Sequence, residues 1–290
     1  ARIYLHWAFD DYRSGLTKLQ AAEQLLLQTR EELTLAGRGH DVLQGRTALA
    51  LSEVLYAGME RGLWGERADE AIRAADMASS LLRDREPQEA IAAQEARSHL
   101  LYFRGGQSID PNSADLRQAE EAARKGLALS ARNEGFLHAE LALALGLALS
   151  AREDAGGAVQ AFTDGLRHTD MQLQPNLYVA LSAALAEANA ALYLGTKDPA
   201  SRRDAEMALS AAFGVMNRYA HLTSDAFLHF ALARASLAAG LAAQNGEDLE
   251  LALSSVNRVL DVWTFTPYTS NHIQAAYTKA AILTGMTFLP

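Results

Sequence analysis

Three ionisable side chains stand out by their surroundings. Glu140, Glu187 and Arg234 each interrupt a stretch otherwise almost free of charge: FLHAELALALGLALSA at 136–151, LYVALSAALAEANAALYLG at 177–195 and AFLHFALARASLAAGLAAQ at 226–244. A charge withdrawn from water without a partner is costly or titrates to neutrality, so each needs a counter-charge, water or a bound molecule. Two readings stay open. The three line a groove and touch a ligand, or they satisfy one another, Glu187 with Arg234 on adjacent helices for instance. His138 and His229, in the repeated tripeptide Phe-Leu-His, are further candidates for ligand contact, against local packing at a helix start. Tyr56, Tyr178 and Asn189 complete the set of candidate partner-binding or ligand-binding residues.

Other chemistry is missing from the pattern. There is no cysteine, which excludes disulfides, thiolate metal sites and cysteine catalysis. His99, His138, His168, His221, His229 and His272 never stand four apart, and no His-Glu-x-x-His helix occurs. Gly37 and Gly39 join two helices and do not form a phosphate loop after a strand. Asp10-Asp11 and Glu31-Glu32 fall on polar helix faces, and no serine sits in a nucleophile-elbow context. The expectation is a non-catalytic protein with no catalytic residue, no metal site and no cofactor. A net charge of −9 with only one isolated basic pair, Arg202-Arg203, argues against direct nucleic-acid binding. The longest uncharged apolar run, Leu141 to Ala151, is too short to span a bilayer, and the first residues show no signal-peptide pattern. A soluble cytoplasmic protein without membrane contact is expected. Because the chain does not open on Met, it is expected to be part of something larger.

The elements that must position these residues are helices. About one residue in five is Ala, the best helix former, and Leu, Gln, Glu and Arg supply much of the rest. Pro87, Pro111, Pro175, Pro199 and Pro267 stand where a helix begins or a loop runs, with capping residues Asp69, Ser113, Asn133, Ser201, Ser224 and Ser270 nearby. Between them lie about twelve helical stretches of roughly 15 to 25 residues, with no period-2 alternation that would indicate strands.

One spacing recurs: a small residue followed four and seven positions later by small or apolar ones. It reads Ala22/Leu26/Thr29, Ala71/Ala75/Ala78, Ala119/Ala123/Gly126, Ala158/Phe162/Gly165, Ala205/Leu209/Ala212 and Ala252/Val256/Val259. Successive starts differ by 49, 48, 39, 47 and 47 residues. The spacing puts each triplet on one helix face, where small side chains let a neighbouring helix come close. Phe136-Leu137-His138 and Phe227-Leu228-His229, 91 residues apart, repeat independently of alanine. Charge is also divided. The segments 136–151, 177–195 and 226–244 are nearly charge-free, while 114–131 and 200–218 carry Arg117, Glu120, Glu121, Arg124, Lys125, Arg202, Arg203, Asp204 and Glu206. The first set is expected inside and the second outside.

Leu145-Gly146, Leu149, Ala158, Phe162 and Gly165 resemble the tetratricopeptide repeat: Leu-Gly, a bulky residue three later, then small, aromatic and small on the second helix. Elsewhere the match is degenerate. Ala252 with Gly240 fits in part, and Ala119 and Ala205 keep only the second-helix half. The spacing exceeds the family's 34 residues, and the longer Ala-rich units resemble the helical sensor domains of bacterial maltose-activator-like regulators. The resemblance implies one domain over 1–290, all-α, a two-layer right-handed superhelix of about six antiparallel helix pairs. It further implies a protein or peptide interaction scaffold or regulatory sensor module, or alternatively an effector domain holding a small apolar ligand inside the superhelix. The end of the chain adds one expectation. Residues 261–290 hold only Asp261 and Lys279 as charges beside Trp263, Phe265, Tyr268, Tyr277, Ile282, Leu283, Met286, Phe288 and Leu289. This C-terminal face is expected to be covered by further chain, a second copy or a partner, or by its own tail.

Overall fold

The computed structural model describes residues 12–36, 39–60, 64–106, 110–130, 135–219, 226–263 and 270–287. Among them there are twelve α-helices and no strand. The helices are α1 (Tyr12–Ala36), α2 (Asp41–Glu60), α3 (Ala68–Leu82), α4 (Pro87–Gly105), α5 (Ala114–Ser130), α6 (Phe136–Ala151), α7 (Ala155–Arg167), α8 (Pro175–Thr196), α9 (Pro199–Arg218), α10 (Ala226–Ala243), α11 (Gly246–Trp263) and α12 (Ser270–Thr287). One 3-10 turn, Gly65–Arg67, precedes α3.

Proline opens α4, α8 and α9, where its missing N–H costs nothing. Ser113 caps α5, its Oγ accepting the Leu116 N–H at 3.3 Å. Two expected caps are displaced. Asp69 lies inside the first turn of α3, and Ser201 is buried within α9, where Asp198 accepts the Ala200 N–H at 3.0 Å instead. The carboxylate reaches the free N–H groups from one residue before proline, and Ser201 is already helical. Asp154 caps α7 in the same way. Asn133, Ser224 and Pro267 lie outside the described residues.

The chain forms two compact units, 1–148 and 149–290. In the first, α2 packs on α3 and α4 on α5, with α3 against α4 and α1 against α2; α2 also touches α4. In the second, α8 packs on α9 and α10 on α11, α7 on α8 and α11 on α12; α8 touches α10, and α10 touches α12. Thus α2 adjoins α4 in the first unit, and α10 adjoins both α8 and α12 in the second, besides their chain neighbours.

The recurring triplet explains the packing. Its six copies fall on α1, α3, α5, α7, α9 and α11, every odd-numbered helix. In α3, α5, α7, α9 and α11 all three members are buried. The copy on α1 is only half-buried, because among the described residues α1 has a neighbour on one side alone. Small residues set the approach. A β-carbon on Gly126 would stand 2.5 Å from Leu141 Cδ2 and 3.3 Å from Gln94 Cβ, so its absence lets α5 lie against α4 and α6. One on Gly240 would stand 2.7 Å from Leu249 Cδ2, where α10 meets α11. Gly146, Ala158 and Phe162 of the clearest motif are all buried.

Polar ties cross these contacts. Ser98 Oγ donates to the Ala119 carbonyl at 2.8 Å, joining α4 to α5. Arg67 pairs with Glu23 of α1 and, at 2.8 Å, with Glu70 of α3, while Arg30 reaches Glu70 at 3.3 Å. The Arg67 guanidinium also lies 5.7 Å from the centre of the Trp64 ring. Together these groups clamp α1 to the start of α3.

One backbone feature repeats where no sequence pattern signals it. Glu153 (φ 63°), Lys197 (φ 59°) and Gln244 (φ 54°) hold the left-handed conformation two residues before α7, α9 and α11. Trp64 (φ 54°) does so just before the 3-10 turn that leads into α3.

Candidate interaction surface

The odd-numbered helices α3, α5, α7 and α11 are strongly two-faced, and the even-numbered helices are not. A helix apolar all round is expected to be enclosed, yet α8 is not. Leu177, Ala180, Ala184, Glu187, Ala191 and Leu194 form a partly exposed stripe at helical spacing, with Leu194 48 % exposed. By length and composition α8 is also the one helix among the described residues that could cross a membrane, with 44 % of its most apolar stretch buried. Solvent thus meets an apolar strip on an even-numbered helix.

Glu187 and Arg234 meet in this layer. Arg234 Nη2 donates to Glu187 Oε1 at 2.6 Å, bridging α8 and α10, with the side chains 37 % and 43 % exposed. The mutual-pairing alternative is the geometry observed, and both groups stay in reach of solvent. Glu140 is half-buried on α6. Asn189 is buried on the opposite side of α8 from Glu187, and Tyr178 packs half-buried on the core cluster that contains Val179 and Leu232. His138 is half-buried, its Nδ1 3.1 Å from Ser130 Oγ. His229 is half-buried on α10, while the side chains of Phe227 and Leu228 lie outside the described residues.

Tyr56 belongs to a different group. Its ring lies 5.8 Å from that of His99 and meets Phe103 edge-on at 6.4 Å. His99 Nε2 is 3.1 Å from Glu95 Oε1, one turn earlier on α4. The signal for Glu95 and His99 was their spacing of four, a helical pair; their approach to Tyr56, 43 residues before His99, has no sequence signal.

Burial, and after it the positive charge of Arg258 on α11, hold the His229 imidazole below its ordinary pKa. The unfolded chain therefore binds the proton more readily. The contribution of His229 to stability is present in full above the unfolded value of about 6.5 and is lost as pH falls below it. Urea midpoints measured between pH 7.5 and 5.5 are expected to fall more steeply for the wild type than for His229→Leu. Parallel slopes would show that the imidazole is not the group responsible.

A cavity of about 340 Å³ opens between α1, α2 and α3, lined by Arg30, Thr34, Asp41, Gln44, Thr47, Ala48 and Met77. Five of its seven lining residues are polar or charged, yet most of the lining surface is apolar. At the C-terminal end, Ile282 and Ala275 are buried against α11 with Met286 beside them, whereas Tyr277 is 74 % exposed and Leu283 is also exposed. The side chain of Trp263 and residues 265, 268, 288 and 289 lie outside the described residues.

The fold is that of an all-helical protein of consecutively packed helices. No protein-family model matches the chain, and no curated protein matches it.

Proposed function

We propose that the chain is a non-catalytic interaction scaffold, or the sensor module of a larger regulator, which binds a protein or peptide along its even-numbered helices. In this reading the contacts α2–α3, α4–α5, α8–α9 and α10–α11 are units of a right-handed tetratricopeptide-like superhelix of about six pairs, with the odd-numbered helices as its outer layer. One observation carries the reading: a partly exposed apolar stripe on α8, interrupted only by the Glu187 carboxylate, on a helix that adjoins α10, which in turn adjoins α12. Exposed apolar strips of this kind mark sites where another surface is buried.

The test is capture of a partner by the wild-type chain, repeated with two variants. Arg234→Glu places two like charges together, and Ala191→Asp puts a charge on the stripe at an exposed position. Each is expected to weaken binding by about tenfold or more with the helical circular dichroism unchanged. A partner retained equally by both variants would remove the even-numbered layer from consideration.

A further inference from the structure

We propose that the water-facing side of α8 and α10 is a docking surface for a second copy of this chain, packed face to face about a two-fold axis parallel to the helices. This rests on the reading that the even-numbered helices bind a protein, and it names that protein.

The register comes first. Two residues join α8 to α9, so these helices run antiparallel. Seven residues lead from the end of α9 into α10, which packs on both, so α10 turns back and runs in the direction of α8. The Glu187–Arg234 pair at 2.6 Å sets residue 187 level with residue 234, an offset of 47. The same offset sets Ala184 level with Ala231, Ala191 with Ala238 and Leu194 with Leu241. All eight side chains are exposed or half-buried, Leu194 and Leu241 being 48 % and 44 % exposed. Each helix therefore shows water the same order of alanine, charge, alanine and leucine, at spacings of three, four and three. That alternation is the 3.5-residue period of a seam that packs along a second helix.

The ladder is complementary to itself. A two-fold axis parallel to the helices and midway between them lays α8 of one copy on α10 of the other, at the same level, so one patch serves both copies. Alanine then meets alanine and leucine meets leucine, with small side chains where the helices come closest. Glu187 of each copy meets Arg234 of the other, while the pair within each chain is kept. Glu187 and Arg234 are the only Asp, Glu, Lys or Arg in α8 and α10, so they decide the electrostatics of the contact. Charges alternate around the four helices, and no carboxylate faces its like. An axis across the helices would lay α8 on α8 and set like charges nearest one another. An unrelated partner would have to bring a cation and an anion one helix-width apart; this face already carries that pair. The stripe from residue 177 to 194 is about 27 Å long and two helices are about 18 Å wide, giving about 500 Å² per copy. That lies at the lower end for specific contacts, so a dimer with a Kd on the order of micromolar is expected.

Sedimentation velocity over about 1 to 100 µM tests this, with reversible passage from one chain to two as the expected result. Arg234→Glu and Glu187→Arg each make the four charges alike, and each is expected to weaken association about tenfold or more. Mixed in equal amounts, the two variants are expected to associate at least as tightly as the wild type, because opposite charges again meet across the contact. Ala191→Asp, which leaves the ion pair in place, is expected to weaken association to a similar degree. Circular dichroism checks that each variant is folded. A wild type that stays a single chain at about 100 µM overturns the proposal. So does association that both charge variants retain, or loss in both without recovery on mixing. A single-chain wild type that captures another protein, and loses it on Ala191→Asp, leaves the partner reading in place and removes the second copy.

Discussion

Phe162→Ala is expected to lower the stability of the second unit by about 3–5 kcal/mol, more than truncation of any other side chain on α7. Phe162 is fully buried on α7, and the small residues Ala158, Ala161 and Gly165 on the same helix are buried with it. Side chains of that size have no alternative rotamers with which to fill a vacated space. The void therefore persists, and the loss combines the transfer of the ring with the cost of the cavity. Phe162→Leu, which keeps most of the volume, should cost less than about 1.5 kcal/mol. Urea denaturation with an unchanged dependence on denaturant would measure both. A loss below about 1 kcal/mol for the alanine variant would show that neighbouring helices close the gap, contrary to the rigid crossing this motif implies.

The second large effect concerns α1. Arg67→Met is expected to cost about 2–4 kcal/mol, read as faster hydrogen exchange and proteolysis confined to α1 and its contacts. The substitution strips Glu23, whose side chain is 11 % exposed, of its guanidinium and also removes the ring contact with Trp64. Acid should act on the same clamp. Burial alone would raise the Glu70 carboxyl, but the hydrogen bonds and charge of Arg67, followed by those of Arg30, override it and hold it below its ordinary value. A carboxyl depressed in the folded state stabilises above its unfolded value of about 4.3, and that contribution disappears as pH falls through the lower folded value. Wild-type α1 should therefore loosen below about pH 4, and the Arg67→Met chain should show a flatter acid response. If exchange in α1 were unchanged in the variant, apolar contacts such as Leu19 on Val54 and Ala57 would be holding it instead.

Helix positions and the identity of the buried faces were legible because they depend on local rules. Alanine content, proline at the first turn and the i, i+4, i+7 triplet all act within one helix, and five of the six triplets are buried as expected. What failed was finer or longer in range. Asp69 and Ser201 read as caps because both residue types favour that place, but the helices begin a residue or more before them. Tyr56 was named only as a further candidate contact; its association with His99, Phe103 and Glu95 was not legible, since it arises from the way α2 lies on α4. The Glu187–Arg234 pair was legible as one of two alternatives, because the spacing of 47 residues matches the recurrence of the triplet. Enclosure of the charge-poor helices was over-read. Hydrophobicity around the whole circumference permits burial, but among the described residues the neighbours α7, α9 and α10 leave one stripe of α8 partly exposed.

The left-handed residues Glu153, Lys197 and Gln244 bear on how the chain tolerates change in length. In the second unit these turns are three residues or fewer, and each carries a backbone conformation that costs a non-glycine residue about 1 kcal/mol or more. A turn so short and so specified fixes the phase of each odd-numbered helix against the one before it, and one added residue would rotate its triplet off the core by about 100°. The links that lead into α8, α10 and α12 are longer, at seven, seven and six residues. Growth of the chain by insertion is thereby restricted to one end of each hairpin, so that in this unit epitope tags, fluorophore-bearing loops or natural insertions would all emerge from the same side and leave the helical register untouched.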